Sequence, residues 1–156
     1  MPPTPATTAA ARAHRRGGAS RALTRSWREA VIPLGAGDAA AVPILRALAR
    51  RILAGWKIPE SVIDDVEVCV SELATNALIH TSGPVRVRLA MRGGAVRVDV
   101  ADTSPHHPYG AVPDAGAECG RGLLIVAALA DRLTIEPYPG SLTAGKVSVA
   151  EFHLAR

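Results

Sequence analysis

The segment Ser71-Glu72-Leu73-Ala74-Thr75-Asn76-Ala77-Leu78-Ile79-His80 constrains this chain more than any other. With the residues before it, it sets Val62, Val66, Cys69, Val70, Leu73 and Ala77 at helical spacing, which predicts a helix with one core-facing stripe. Beside that stripe lie a carboxylate, a carboxamide and an imidazole: Glu72, Asn76 and His80. They are four residues apart and so occupy one row of the helix surface. An amide oxygen is a suitable neutral ligand for Mg²⁺, and a carboxylate one turn away can accept a proton. A solvated polar face is the plainer account of the same row.

The remaining elements follow from periodicity and punctuation. Residues Arg25 to Leu34 alternate loosely and predict an edge strand that ends at Pro33 and the Gly35–Gly37 stretch. Asp38 is a candidate N-cap for a helix to about Ala54, with Val42, Leu45, Leu48, Ala49 and Ile52 inward and Gly55 as its stop. Pro59 opens the motif-bearing helix, and acids load its first turns. Val85–Leu89 alternates apolar with Arg. Gly93-Gly94 is a hairpin turn signal, and Val96–Ala101 is the partner strand. A helix over about Gly122 to Ala130 precedes a last hairpin, Leu133–Tyr138 and Lys146–Leu154, turning at Pro139-Gly140. Residues 103–119 lack period and are longer than ordinary connections, which points to a functional loop. The sum is an α+β fold: a two-layer α/β sandwich with helices on one face of a mixed, mostly antiparallel sheet.

Composition narrows the function. A chain of 156 residues allows one domain, and 48% hydrophobic residues can build a core. Aromatics at 3% give little for stacking on nucleic-acid bases. The net charge of +4 belongs to the N-terminus: Arg12, Arg15, Arg16, Arg21, Arg25 and Arg28 all precede Glu29, the first acid. Without these six the chain holds 12 basic and 14 acidic residues, so the folded part is not a basic nucleic-acid binder. Residues 1–24 are Pro-, Ala-, Thr- and Arg-rich and predict a disordered basic tail before a domain over 25–156. Cys69 and Cys119 make neither a disulfide framework nor a metal cluster. Cys69 falls on the core stripe; Cys119 sits beside the glycine-rich turn as a tolerated loop thiol or a redox handle. No apolar run reaches membrane-spanning length and no secretory signal is evident, which favours a cytoplasmic protein without a membrane partner.

Two further motifs join the helix row. The strand Val96–Ala101 ends in Asp102-Thr103-Ser104-Pro105, where a strand terminus can offer one carboxylate to a pocket; an Asp opening a turn is the ordinary alternative. Gly120-Arg121-Gly122 leads directly into an apolar helix, and glycines at a helix start leave N–H groups bare at the positive end of the dipole.

Glu-x-x-x-Asn on a helix, Asp at a strand end, then GxGL before a helix resembles the gyrase–histidine kinase type of ATP-binding domain. Within it, Ser71-Glu72-Leu73-x-Thr75-Asn76-Ala77-x-x-His80 is similar to the anti-sigma-factor type serine kinases of bacteria and their small ATP-binding relatives. Gly122-Leu123-Leu124-Ile125-Val126, Ala128-Leu129-Ala130-Asp131-Arg132 and the closing Gly145–Phe152 run fit the same branch, over residues 27 to 154.

The resemblance implies ATP and Mg²⁺ as cofactors. Asn76 would hold the Mg²⁺ that bridges the triphosphate oxygens, and Glu72 would be the base acting on a serine hydroxyl or water. Asp102 would accept a hydrogen bond from adenine's exocyclic amine and so select ATP over GTP. Gly120 and Gly122, with the N–H groups of Arg121 and Leu123, would cradle the phosphates. Residues 103–119 would be the lid. His80 would reach a phosphate or the lid, or else cap the helix end. Arg121 would contact the γ-phosphate or lie in solvent, and Lys146 is left between solvent and a phosphate edge. His106 and His107 sit in the lid without the spacing of a metal site.

The resemblance further implies a serine/threonine protein kinase of a partner-switching system, acting on an anti-sigma-factor antagonist or holding a sigma factor. Homodimerisation near the first helix is also implied. A nucleotide-gated binding module without turnover is the second reading. Salt-sensitive DNA binding by the basic tail is the third. Two positions depart from the family's usual wording. Asp102-x-Ser104 stands where Asp-x-Gly is common, and Lys146-Val147-Ser148 stands where a late-strand Thr is common, with Ser148 as its candidate replacement.

Overall fold

Alternating side chains set the sheet. The computed structural model describes residues 27–104, 121–138 and 145–154. Strand β1 (Arg28–Leu34) leads through a 3-10 turn (Ala39–Ala41) to helices α1 (Val42–Gly55) and α2 (Glu60–His80). Strands β2 (Val85–Arg92) and β3 (Ala95–Asp102), helix α3 (Arg121–Leu129), and strands β4 (Arg132–Pro137) and β5 (Lys146–His153) follow. The five strands form one sheet in the order β1-β2-β3-β5-β4, and each pairing is antiparallel. The α+β class expected from the sequence is what forms, and among the described residues the sheet has no parallel pair of the kind a mixed sheet would show. The 1–24 tail, Cys119, Gly120, both lid histidines and the Pro139-Gly140 turn lie outside the described residues.

Parity sorts the two faces. Val87 and Leu89 of β2, Val96, Val98 and Val100 of β3, and Ala150 and Phe152 of β5 are buried under the helices. The β3–β5 register pairs Val96 with Phe152, Val98 with Ala150 and Val100 with Ser148. Against this face lies α2, which buries Val62, Ile63, Val66, Cys69, Val70, Leu73, Ala74, Ala77 and Leu78, including every residue of its predicted stripe. The opposite face carries charge: Arg88 bonds Asp99 at 2.7 Å and Glu29 at 2.9 Å, and Arg97 bonds Asp99 at 2.6 Å. Arg88 and Asp99 are register partners, as are Arg97 and Glu151, so opposite charges face each other across strands. The turn at Gly93-Gly94 has φ of +62° and +82°, the left-handed pair that a two-residue hairpin requires.

Helix α1 packs on α2 through Val42, Leu45, Ala49 and Leu53. Leu48 and Ile52, expected inward, lie at the margin, exposed and half-buried respectively. Arg50 ties the two helices: its Nε donates to Glu67 at 2.8 Å, and its guanidinium also pairs with Glu60 and Asp64. Two local expectations are corrected. Asp38 gives no side-chain cap, because the 3-10 turn intervenes and α1 proper begins at Val42 behind the N-cap Ala41, with Pro43 in its first turn. Gly55 does end α1, but the left-handed residue of the connection is Lys57, at φ +64°. Bonds from Lys57 N–H to Ala54 and from Ile58 N–H to Leu53 hold that turn.

Phe152, 1% exposed, is the largest fully buried side chain among the described residues. Phe152→Ala is expected to lower the unfolding free energy by about 3–5 kcal/mol, measured by urea titration followed by circular dichroism.

Candidate functional site

The helix row converges with α3. Glu72 and Asn76 are half-buried on successive turns of α2, and His80, its last residue, is exposed. Glu72 lies against the first turn of α3: a Cβ on Gly122 would sit 2.6 Å from Glu72 Oε2. A residue without a side chain is what lets the helix start come this close. The first N–H groups of a helix lack intrahelical partners and carry positive partial charge. Glu72 therefore stands beside a seat suited to anions. Arg121 is exposed there, while Leu123 turns toward the core and is half-buried against it.

The other pole is the end of β3. Asp102 faces inward, in step with Val96, Val98 and Val100, and is 3% exposed. Its Oδ1 accepts the Ser104 N–H at 2.7 Å. Lys146, the first residue of β5 and the register partner of Asp102, is also buried. Its Nζ lies 3.2 Å from Oδ2 and 3.4 Å from Oδ1. The expectation that left Lys146 between solvent and a phosphate edge is thus corrected: it is half of a buried ion pair. Lys146 shares parity with Phe152, and that signal in the sequence could have placed it inward.

Ser104 fills the place where a glycine is common without left-handed backbone, since Lys57 is the one non-glycine residue with positive φ among the described residues. Ser148, two residues after Lys146, is buried on the same face. The strand end is further tied to α2 by a hydroxyl pair, Thr81 Oγ1 to Thr103 Oγ1 at 2.7 Å, and Thr81 Oγ1 accepts the Gly83 N–H at 3.1 Å. Gly145 brings β5 close: a Cβ there would lie 3.0 Å from the Asp102 carbonyl oxygen and 3.3 Å from Tyr138 Cβ.

On the other side of α2, burial pushes the Cys69 thiol up to about 12, and the negative charges of Asp65 and Glu72 add to the effect. Among the described residues no group of three or more His, Cys, Asp or Glu side chains is placed to hold a metal. No helix among them is long and apolar enough to cross a membrane.

A carboxylate beside a helix start, an amide one turn on, and a buried Asp at a strand end occur here on a helix-covered antiparallel sheet. The family model of the histidine kinase-like ATPase domain matches residues 36–145. The chain belongs to that family. This histidine kinase-like ATPase domain is also similar in fold to a crystal structure of the RsbU and RsbW domains of Rv1364c from Mycobacterium tuberculosis. The TM-score is 0.59 at 23% identity, over 81% of this chain and 33% of the other. The chain thus spans about a third of the length of the chain it matches. No curated protein matches it. The family is one of ATPase domains.

The two glycines predict opposite outcomes. At Gly122 the obstacle is the free end of a flexible side chain, so Gly122→Ala should leave stability within about 1 kcal/mol while displacing Glu72, visible in its carboxyl carbon shift by NMR. At Gly145 the obstacle is backbone, and Gly145→Ala should cost about 1–3 kcal/mol in urea titrations.

Cys69 makes a pH prediction. An unfolded thiol ionises near 9.0 and the folded one near 12. Below the lower value both states are protonated and the group is neutral to stability. Above it only the unfolded state loses a proton, so stability falls as pH rises from about 9 to 12. At pH 8, iodoacetamide should label Cys69 only after unfolding, as read by peptide mass spectrometry.

Proposed function

We propose that this domain is a serine/threonine protein kinase of the anti-sigma-factor type, with ATP and Mg²⁺ as cofactors. The observation that carries this reading is the seating of Glu72 against Gly122, which sets a candidate base beside the phosphate-binding end of a helix. Asn76, half-buried one turn on, supplies a neutral oxygen for Mg²⁺. The ion, when bound, neutralises charge on the triphosphate.

The rest falls to the chain's own groups. The N–H groups of Arg121, Gly122 and Leu123, with Gly120 before them, orient the phosphates for in-line transfer, and His80 lies at the rim of the same helix row. Asp102 accepts the exocyclic amine of adenine. Glu72 takes the proton of the acceptor serine as its hydroxyl oxygen bonds to the γ-phosphorus and the bond to the bridging oxygen of ADP breaks. The acceptor is an anti-sigma-factor antagonist-like protein in the cytoplasm. A sigma factor is the second partner, and the domain pairs with a second copy near α1. A catalytically silent, nucleotide-gated module is the alternative, favoured by the run Lys146-Val147-Ser148, which stands where a late-strand Thr is common in the family.

Calorimetric titration with ATP, with and without Mg²⁺, tests the site. Binding is expected to depend on Mg²⁺, to be lost in Asn76→Ala and to be weakened in Asp102→Asn, which removes one base contact and leaves the phosphate contacts in place. Glu72→Ala should keep binding but cut ADP release roughly 10²–10⁴-fold. Turnover that survives Glu72→Ala would remove Glu72 as the base; tight binding with no turnover in the wild type would establish the silent module.

A further inference from the structure

The proposed roles leave the buried charge of Lys146 unused. Lys146 is 2% exposed, sits at the first position of β5, and contacts both oxygens of Asp102. The geometry points to Lys146 as the positioning residue that sets base specificity through Asp102, an inference that rests on the nucleotide site proposed above.

A buried ammonium and a buried carboxylate are each costly alone and tolerable together. Here backbone geometry enforces their meeting. The β3–β5 register sets the two residues opposite each other, and Gly145 admits β5 to within van der Waals contact of the Asp102 carbonyl. The Ser104 N–H fixes Oδ1 from a second side. An ionised carboxylate offers about four lone-pair directions and no donor. Held by Ser104 and Lys146, the Asp102 carboxylate is fixed in orientation and has lone-pair directions left for a further donor. A purine with an amine at position 6 supplies that donor. A purine with a carbonyl there sets oxygen against oxygen and is rejected, because a buried polar group left unpaired is penalised heavily. Taking away the ammonium removes both the counter-charge and a contact that orients the carboxylate.

The test compares ATP with inosine 5′-triphosphate, each with Mg²⁺, by calorimetry on the full chain. The variants are Lys146→Met, Lys146→Gln, Asp102→Asn and the double variant Lys146→Met/Asp102→Asn. The wild type should prefer ATP. Both Lys146 variants should lose roughly tenfold or more of that preference, with inosine triphosphate binding changed less than about threefold. In the Asp102→Asn background, Lys146→Met should change the ratio no further, because Lys146 acts through Asp102.

The inference is overturned by a cooperatively melting Lys146 variant that keeps the wild-type ratio or weakens both nucleotides equally. A Lys146→Met effect that persists in the Asp102→Asn background overturns it too. Should Lys146→Met fail to fold, Lys146→Gln decides by the same ratio. A wild type that binds neither nucleotide refutes the nucleotide site and this inference with it. Preference lost in Asp102→Asn but kept in the Lys146 variants leaves the site standing and removes only the role of Lys146.

Discussion

The antiparallel seam between β3 and β5 is the contact on which the rest of the molecule depends. One register sets Val96, Val98 and Val100 over Phe152, Ala150 and Ser148 beneath α2, and carries the same row outward to Asp102 and Lys146. A slip of one residue would drive Arg97 and Asp99 into the core and turn the ion pair to solvent. The other face guards the same register, because Arg97 meets Glu151 only in this alignment. Core packing and the alignment of the site are therefore one decision.

The α2 helix shows how stability and chemistry share an element. Its apolar stripe is buried along the helix, from Val62 to Leu78. The adjoining row holds Glu72 and Asn76 half-buried, with Glu72 against the first turn of α3. The raised ionisation of Cys69 marks the boundary: burial dominates there, and the acid row adds to it. Arg50 then braces the N-terminal half of α2 against α1 through three acids, so the row stands on a helix held at that end as well as under its core face.

Much of this was legible in the sequence. Period-3.6 burial on α2, period-2 alternation on β2 and β3, and the paired glycines of the hairpin each depend on local pattern, and each forms where the pattern places it. So does the sorting of Arg88 and Arg97 to the open face. What was not legible depends on partners distant in the chain. Asp38 reads as a cap until the 3-10 turn displaces the helix start. Lys57 takes a left-handed conformation because the Leu53 and Ala54 carbonyls need donors, a demand local composition does not reveal. Lys146 reads as a surface cation until the register sets it against a carboxylate 44 residues earlier. The contact of Glu72 with Gly122 likewise belongs to helix packing and not to either motif.

The strand order has a consequence for how the chain acquires its shape. Because β5 lies between β3 and β4, β3 remains an open edge until the last strand arrives. Chains emerge from the ribosome N-terminus first, and unpaired edges are where nascent proteins stick to one another. During synthesis the β2–β3 hairpin therefore emerges before the strand that carries the partner of Asp102. Final insertion of β5 closes the edge and delivers Lys146 to Asp102 in one event, so the ion pair is completed only when the fold is.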